Sequence, residues 1–204
     1  MARLGMIIDL KRCIGCNACT LACKQENGTP EGIHFARVVT HEVGTYPKSK
    51  RTFLPVLCNH CSDAACVEAC PTGATYIRED GIVMVDHTRC VGCRACNVAC
   101  PYMNRFFVED GLLENGYSGH GLSQFEAVKF AQYEEGTNIK CTLCAHRIDE
   151  GLEPACVVSC PTEARIFGDW DEEGGKLQRL VATRKNWKLL PEFNTKPNVV
   201  MLDE

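Results

Sequence analysis

Residues 58–101 read CNHCSDAACVEACPTGATYIREDGIVMVDHTRCVGCRACNVACP and hold eight of the chain's sixteen cysteines. These eight cysteines form two groups of four, and each group ends in a Cys-Pro pair, at Cys70-Pro71 and at Cys100-Pro101. In the second group, three cysteines follow one another at intervals of three residues, and the fourth comes four residues later. The 19 residues between Cys70 and Cys90 are about the length of one hairpin. A hairpin there would bring the two groups face to face.

The spacing of the second group is typical of bacterial ferredoxins, in which the fourth cysteine ligates the neighbouring cluster. Zinc instead takes four ligands, usually as two separated pairs, and disulfide scaffolds are typical of short secreted chains. Here two of the groups place three cysteines within seven residues, a loop that surrounds one corner of a cubane. The pattern therefore favours [4Fe–4S] clusters over zinc or disulfides.

The composition fits a chain that is held together by clusters. The hydrophobic fraction of 45% includes the sixteen cysteines, and without them it falls to roughly 37%, which is low for an ordinary core. Bound clusters would replace part of that core, as structural metals do. The formal charge is −4, and each ligated cluster adds about −2 more. Such a polyanionic protein is a poor partner for nucleic acid.

The sequence predicts no membrane span of its own, because no apolar run approaches the roughly 20 residues that a bilayer requires. Twelve residues precede Cys13, with neither an apolar segment nor a twin arginine among them. We therefore expect that export, if it occurs, depends on a partner.

The cysteine groups repeat along the chain. The two further groups consist of Cys13, Cys16, Cys19 and Cys23, and of Cys141, Cys144, Cys156 and Cys160. Ile8-Asp9 before the first group matches Val85-Asp86 before the third. Cys70-Pro71-Thr72 in the second group matches Cys160-Pro161-Thr162 in the fourth. The order of group types is therefore A, B, A, B, which indicates a duplicated two-group unit.

Hydrophobic periodicity and turn residues predict a coarse secondary structure. Strands are expected at 4–9, 35–43, 52–57, 74–78, 82–86 and 196–202, and helices at 20–26, 124–133 and 177–183. We expect Ile77, Val83 and Val85 to form an apolar wall beside the clusters. Residues 102–140 are either a surface loop or a docking surface. The tail beyond Gly168 either straps its own domain or adds to a partner.

Several residues beside the cysteines are candidates for a supporting role. Gly15 lacks a side chain between two ligands, which would let backbone N–H groups approach cluster sulfur. Lys24 stands where the other groups have proline, as a solvated residue or as a tuning charge. His60 and His146 are interpreted as hydrogen-bonding or packing residues, because each cluster already has four thiolates. Positive charge close to a cluster favours its reduced form, and the cations that flank the groups are Lys11, Arg12, Arg89, Arg94, Lys140 and Arg147.

Four groups in this order and spacing resemble the four-cluster iron–sulfur subunit of the molybdopterin oxidoreductase (DMSO reductase) superfamily, over roughly residues 4–168. The specific motifs include Cys58-Asn59-His60-Cys61 and Cys141-Thr142-Leu143-Cys144. The pattern is most similar to the electron-transfer subunits of polysulfide, thiosulfate and arsenate respiratory reductases. Gly44-Thr45-Tyr46-Pro47 is also similar to the small subunit of pyrogallol–phloroglucinol transhydroxylase.

The resemblance implies which cysteines share a cluster. Set a is Cys13, Cys16, Cys19 and Cys160; set b is Cys23, Cys141, Cys144 and Cys156; set c is Cys58, Cys61, Cys66 and Cys100; set d is Cys70, Cys90, Cys93 and Cys96. All sixteen positions are occupied by cysteine, so the resemblance implies four complete [4Fe–4S] clusters with iron as the metal. No catalytic residue is expected in this chain.

The resemblance also implies an α+β fold. It consists of two interlaced ferredoxin-like lobes related by pseudo-two-fold symmetry, with connector insertions and a C-terminal strap. The inner lobe comprises residues 58–101, the outer lobe with its connectors comprises residues 1–57 and 102–168, and the C-terminal extension comprises residues 169–204.

The function that the resemblance implies is electron transfer in a heteromeric complex of anaerobic respiration. The chain would relay single electrons between a large catalytic subunit that holds a molybdenum or tungsten pterin and a quinol-linked membrane subunit or another redox partner. The alternatives are a transhydroxylase, formate dehydrogenase or hydrogenase complex, a stand-alone polyferredoxin, and a zinc-stapled interaction module. Co-export with a partner would place the chain on the extracytoplasmic face of the bacterial cytoplasmic membrane, and the transhydroxylase-like alternative would keep it in the cytoplasm.

Overall fold

The computed structural model describes residues 2–203. The strands are β1 (Leu4–Asp9), β2 (Arg37–Val43), β3 (Lys50–Val56), β4 (Thr75–Ile77), β5 (Val83–Val85), β6 (Phe106–Phe107), β7 (Asn138–Ile139), β8 (Arg165–Asp169), β9 (Asn186–Trp187) and β10 (Val199–Leu202). The α-helices are α1 (Ala18–Asn27), α2 (Ala65–Glu68), α3 (Ala95–Ala99), α4 (Gln124–Phe130), α5 (Ala145–Ile148), α6 (Ala155–Val158) and α7 (Lys176–Thr183). The fold is therefore a small mixture of α and β elements, as expected.

The principal sheet is built around β1 and has the strand order β8-β1-β10-β9. The apolar run of β1 explains its central place, because Met6, Ile7 and Ile8 are fully buried on both faces of the sheet. Strand β8 pairs with β1 antiparallel, with Ile7 opposite Ile166. Strand β10 pairs with β1 parallel on the other side, with Ile8 opposite Met201.

The C-terminal extension straps its own domain, which decides between the two expectations for the tail. All four residues of β10 are buried, and Leu177 of α7 packs with Ile7 and Val200 in a second small core. The chain just before β10 also contacts the second cysteine group. There, Ser62 and Asp63 donate backbone hydrogen bonds to the carbonyls of Lys196 and Thr195, at 3.0 and 3.1 Å.

The hairpin expected between the second and third cysteine groups is present as β4 and β5, with Thr75 opposite Val85. The apolar wall expected beside it is only partly correct. Val83 is buried, but Ile77, which lies opposite Val83 in the hairpin, is 39% exposed. Ile82, just before the strand, is fully buried instead.

The two connectors form separate small elements. Strands β2 and β3 make an antiparallel hairpin in which Pro55 lies opposite Val38. In the second connector, β6 pairs with β7, and α4 begins at a capping box formed by Ser123 and Glu126. The remaining face of α4 is open to solvent, and Val128 is 75% exposed there.

Candidate iron–sulfur centres

The outer cysteines are brought together by two pairs of packed elements. Strand β1 leads into the Cys13–Cys16 loop, and Cys19 and Cys23 lie one turn apart on α1. Helix α1 packs against α6, which carries Cys156. Cys160 follows α6 and precedes β8, the antiparallel partner of β1. The first and fourth groups therefore meet, although more than a hundred residues separate them.

Set a surrounds a single cavity. The cavity is lined by all four of its members, Cys13, Cys16, Cys19 and Cys160, together with Arg165 and surrounding residues. Burial raises the pKa of Cys13, the N–H of Gly15 lowers it, and the nearby Cys19 and Cys160 raise it further. This influence of one thiol on another requires that they lie close together.

Set b is the most enclosed of the four, because all of its cysteines are buried. Burial raises the pKa of Cys23 to about 12, and the nearby thiols of Cys156 and Cys144 contribute to the shift. Burial also raises the pKa of Cys141 well above its ordinary value. Cys23 and Cys58 are the cysteines that raise it most. Since Cys58 is a predicted member of set c, its influence on Cys141 indicates that sets b and c lie next to each other.

Two inner cysteines have the neighbours that the predicted sets c and d require. Burial raises the pKa of Cys61 to about 12, and the neighbouring thiols that raise it are Cys58, Cys66 and Cys100, the other members of set c. Burial also raises the pKa of Cys96; Arg105 opposes the shift, and the neighbouring thiols that add to it are Cys90 and Cys70, both of set d. Helices α2 and α3 pack together here, as α6 and α1 do in the outer part.

Backbone N–H groups that follow the last cysteine of each type B group stabilise its thiolate. The N–H of Thr75 donates to Cys70 Sγ at 3.4 Å, and the N–H of Ala164 donates to Cys160 Sγ at 3.2 Å. Burial acts to raise the pKa of Cys70, but the hydrogen bonds from Thr75 and Thr72 lower it to about 7. Such donors are the tuning groups that iron–sulfur sites use.

Two positions between ligand cysteines require glycine, because a side chain there would collide with a neighbouring connector. Gly15 has φ +70°, and a Cβ there would lie 2.3 Å from the Phe53 ring of β3. Gly92 occupies the equivalent position with φ +65°, and its Cβ would lie 2.1 Å from the carbonyl oxygen of Gly136. Each glycine therefore lets a connector pack directly on a ligand loop.

The residues present fit [4Fe–4S] clusters. All sixteen cysteines are free thiols, which supplies the all-thiolate donor set of such clusters. Several buried donors have no protein partner: Nε and Nη2 of Arg105, Nη2 of Arg165, Nδ2 of Asn59 and Nε2 of His60. Buried N–H groups are rarely left unpaired, and cluster sulfides are acceptors for them.

The arrangement of these cysteines differs from that of a site for a single metal ion. Within residues 2–203, no three His, Cys, Asp or Glu side chains converge closely enough to hold a single metal ion. The thiolate ligands of a zinc ion lie about 2.3 Å from one atom, whereas the cysteines of a cubane attach to four separate irons.

The structure defines the hydrogen-bond partners of Lys24 and His60, two of the residues that the sequence indicated as supporting the ligands. Lys24 is not a freely solvated residue, because its ammonium donates to the carbonyls of Thr29, Pro30 and Ile33 and holds the first connector. Burial lowers its pKa and the nearby thiol of Cys23 acts to raise it, so a tuning charge stays a prediction. His60 is buried and accepts a hydrogen bond from the N–H of Val83 at 3.1 Å. Burial holds the pKa of His60 well below its usual value, so the ring is neutral.

The sequence reasoning missed Arg105 and Arg165. Both are buried among thiols, and both lie five residues after the final cysteine of a group, Cys100 or Cys160. That shared offset was the available signal. His146, in contrast, lies at the surface, where its Nε2 is 2.8 Å from Glu26 Oε1.

None of the helices formed by residues 2–203 combines the length and the apolar character that a bilayer crossing requires.

Comparison with known proteins identifies the relatives of this chain. A family model described as a 4Fe-4S dicluster domain matches residues 49–113 and 125–170. The chain is 39% identical to the arsenate respiratory reductase iron–sulfur subunit of a Shewanella species, over 97% of this chain and 94% of the relative. It is 40% identical to a tetrathionate reductase component of Salmonella typhimurium, over 98% and 72%. It is 35% identical to a sulfite dehydrogenase component of Allochromatium vinosum, over 97% and 81%.

Proposed function

Because the chain belongs to the 4Fe-4S dicluster domain family, among the iron–sulfur electron-transfer subunits of the molybdopterin oxidoreductases, we propose that it relays single electrons through four [4Fe–4S] clusters. The observation that carries the proposal is the cavity that Cys13, Cys16, Cys19 and Cys160 line together, with the packing of α1 against α6 and of α2 against α3. Each of the four sets contains at least one cysteine whose pKa is raised by other members of the same set. We therefore assign sets a, b, c and d, as defined above, as the ligands of the four clusters.

Electrons are proposed to pass through the clusters of the four sets in the order a, b, c, d, or in the reverse order. Sets a and b share the elements of the outer lobe, and sets c and d share those of the inner lobe. The charge of Cys58 in set c acts on the pKa of Cys141 in set b, which supports a step between the lobes at this point. The exposed cysteines are Cys16 of set a and Cys93 of set d, which suits these sets to the two ends.

Equivalent packing supports pseudo-two-fold symmetry between the lobes. In the outer lobe β8 pairs antiparallel with β1, and in the inner lobe β4 pairs antiparallel with β5. Each pair consists of the strand after a type B group and the strand before a type A group. On this basis we retain the division into an inner lobe of residues 58–101, an outer lobe of residues 1–57 and 102–168, and a C-terminal extension from residue 169.

Bound [4Fe–4S] clusters supply one-electron oxidation and reduction, and the chain supplies their setting. The cysteines fix the order of the clusters, and the buried core around set b excludes water from the middle of the path. Hydrogen bonds such as Thr75 N–H to Cys70 Sγ and Ala164 N–H to Cys160 Sγ stabilise sulfur charge. No proton transfer by a side chain is required.

The partner is proposed to be a large catalytic subunit with a molybdenum or tungsten pterin. The relatives are components of complexes named as arsenate respiratory reductase, tetrathionate reductase and sulfite dehydrogenase. Exposed apolar residues lie beside both end sets, with Ile14 next to set a and Val91 next to set d. These two places suit contact with the catalytic subunit at one end and with a quinol-linked membrane subunit or another redox protein at the other.

The names of the relatives leave the direction of electron flow open, because they include both reductases and a dehydrogenase. We place the complex on the extracytoplasmic face of the cytoplasmic membrane, by co-export with the partner. Transhydroxylase, formate dehydrogenase and hydrogenase complexes are the alternatives for the catalytic partner.

Metal analysis of the full-length chain, purified without oxygen, tests the cluster content. We expect a brown protein with about sixteen iron and about sixteen acid-labile sulfide per chain. Bound zinc, or iron for two clusters or fewer, would refute the proposal.

Co-purification from the native host tests the partner. A tagged chain should recover a larger subunit together with molybdenum or tungsten in about one atom per complex. Recovery of the chain as a stable monomer that transfers electrons alone would favour the stand-alone polyferredoxin. Nickel in the larger subunit would favour a hydrogenase.

A further inference from the structure

Arg165 is a buried cation between sets a and b. Its side chain is 3% exposed, and its Nη1 lies 3.7 Å from Cys156 Sγ of set b. The same side chain lines the cavity that the four cysteines of set a surround. Its Nη2 is buried and has no hydrogen-bond partner in the protein. The guanidinium thus reaches both ligand sets of the outer lobe.

Arg105 occupies the corresponding place between sets c and d. It is 6% exposed, and its Nη1 donates to Thr75 Oγ1 at 3.0 Å. The backbone N–H of Thr75 in turn donates to Cys70 Sγ of set d. On the other side the guanidinium faces Cys66 of set c, whose charge acts to raise the pKa of Arg105 against the effect of burial. Two of its three nitrogen atoms have no protein partner.

Lys140 is the buried cation at the junction between the lobes. It is 3% exposed, and its ammonium donates to the carbonyl of Cys141 at 2.6 Å. Burial raises the pKa of both Cys141 in set b and Cys66 in set c, and the charge of Lys140 opposes both shifts. One cation therefore lies at each of the three steps a–b, b–c and c–d.

A buried charge is unfavourable unless an opposite charge lies close by. The groups whose charge raises the pKa of Arg105 and Arg165 are thiols rather than carboxylates. The anionic charge that these cations require is therefore the charge of the ligated clusters. A fixed positive charge in a water-poor interior favours the more anionic of two redox states.

We propose that Arg165, Lys140 and Arg105 each raise the reduction potentials of the two clusters between which they lie. This inference rests on the proposed four-cluster function. The step concerned is the transfer of one electron, in which one cluster is oxidised by one and its neighbour is reduced by one. No bond forms or breaks and no proton moves, because the compensating charge is already in place.

Three substitutions test the proposal through the pattern of shifts. The full-length holoprotein with Arg165→Met, Lys140→Met or Arg105→Met is titrated electrochemically, and each reduced centre is followed by EPR. Each substitution should lower two of the four potentials by at least tenfold in the reduction equilibrium, which is about 59 mV for one electron. Arg165→Met and Arg105→Met should shift two different pairs of centres. Lys140→Met should shift one centre from each pair.

Matched controls distinguish the effect of a buried cation on the reduction potentials from the effect of a cation at the surface. Arg12 and Arg94 also adjoin ligand cysteines, but about half of each side chain is exposed. Arg12→Met and Arg94→Met should leave all four potentials within twofold of the wild type. Arg165→Lys and Arg105→Lys retain the charge. Their reduction potentials should therefore stay much closer to those of the wild type than the potentials of the methionine variants do.

The outcomes distinguish this inference from the function on which it rests. Four EPR centres in the wild type with unshifted potentials in the methionine variants would overturn the inference and leave the proposed function intact. Fewer than four centres in the wild type would overturn the proposed function itself. If a methionine variant binds less iron than the wild type, the Gln variant and the charge-retaining variant at the same position (Arg165→Lys, Arg105→Lys or Lys140→Arg) decide. Lower potentials with Gln and near-normal potentials with the charge-retaining variant support the charge effect, and equal shifts with both refute it.

Discussion

Set b and the two end sets use the same ligand chemistry in opposite environments. All four cysteines of set b are buried, whereas set a contains the exposed Cys16 and set d contains the exposed Cys93. Cys16 and Cys93 are equivalent positions in the repeat. On the proposed order of the sets, the fold closes the middle of the electron path and leaves its ends accessible, as a relay between two partners requires.

Burial also raises the pKa of Cys13 in set a and of Cys96 in set d, but the contrast in acidity is largest between set b and Cys70. Burial raises the pKa of Cys23 to about 12 and that of Cys144 to about 11, both in set b. In set d, hydrogen bonds from Thr75 and Thr72 outweigh burial and lower the pKa of Cys70 to about 7. The burial of set b opposes the thiolate form, so we expect its assembly with iron to be coupled to folding.

Removal of one ligand from set b should have the largest effect. Cys156→Ser removes a buried ligand at the contact between α1 and α6. Iron content should fall to about twelve atoms per chain, and the chain should unfold at a clearly lower temperature, because the metal also supports the fold. Iron analysis and thermal unfolding followed by circular dichroism measure the two effects.

The matched control is Cys93→Ser, at an exposed ligand of set d. It should alter one EPR centre and leave the unfolding temperature close to that of the wild type. Equal destabilisation by the two substitutions would mean that burial does not distinguish set b from the ends.

Removal of iron by a chelator should follow the same order. Sets a and d should lose iron first, because solvent reaches Cys16 and Cys93, and about half of the iron should leave in a fast phase. Loss of absorbance and of individual EPR centres during treatment with EDTA under mild oxidation follows the two phases. A single phase in which all four centres disappear together would contradict the difference in access.

Asp9 and Asp86 offer a smaller test at equivalent positions before the first and third groups. Asp9 is buried; burial acts to raise its pKa, but hydrogen bonds from Arg184 and the N–H of Lys11 outweigh it and lower the pKa. Asp9→Asn should therefore destabilise the chain at neutral pH by about 2–3 kcal/mol. Asp86 lies at the surface and caps a short 3-10 helix through Thr88, so Asp86→Asn should have a smaller effect.

The pH dependence of the Asp9 effect has a defined sign. Since the folded pKa is lowered, the carboxylate stabilises the fold above the ordinary pKa of aspartate, and this stability is lost as the pH falls through the folded value. The difference in unfolding temperature between Asp9→Asn and the wild type should therefore shrink below about pH 4. A difference that stays constant as the pH falls from neutral to well below that value would show that the charge of Asp9 is not responsible.

The substitution Asn198→Ala should have the smallest effect on stability of those considered, and among the clusters it should affect set c. Its Nδ2 donates to the carbonyl of His60 at 2.6 Å, and its N–H donates to the carbonyl of Asn59. Asn198→Ala leaves the buried His60 carbonyl without this donor and should cost about 1–2 kcal/mol. It should also speed the loss of the set c centre in the chelator experiment, while the loss of set d stays unchanged. Faster loss of both inner centres would instead indicate a general loosening of the lobe.

The parts of the fold that depend on local pattern could be predicted from the sequence. The apolar run 4–9, the turn at Glu79-Asp80-Gly81 and the cysteine spacing each determine structure within about twenty residues. The helix predicted at 177–183 depends on the same kind of pattern, and it begins one residue earlier, at Lys176.

Contacts between distant segments could not be predicted in this way. The pairing of β10 with β1 joins residues nearly two hundred positions apart, and the pattern of the tail alone fits several partners. Arg105 and Arg165 resemble ordinary surface residues in sequence, because only tertiary packing encloses them among thiols. The role of Lys24 does not follow from the ferredoxin pattern, because its ammonium binds the carbonyls of a connector that the pattern does not include.

A redox titration of the full-length protein, followed by EPR and repeated with Cys16→Ser and Cys93→Ser, tests the central claim most directly. The account predicts four one-electron [4Fe–4S] centres in the wild type, of which each substitution alters a different one. Two centres or fewer, or a common centre altered by both substitutions, would contradict a relay of four clusters with sets a and d at its ends.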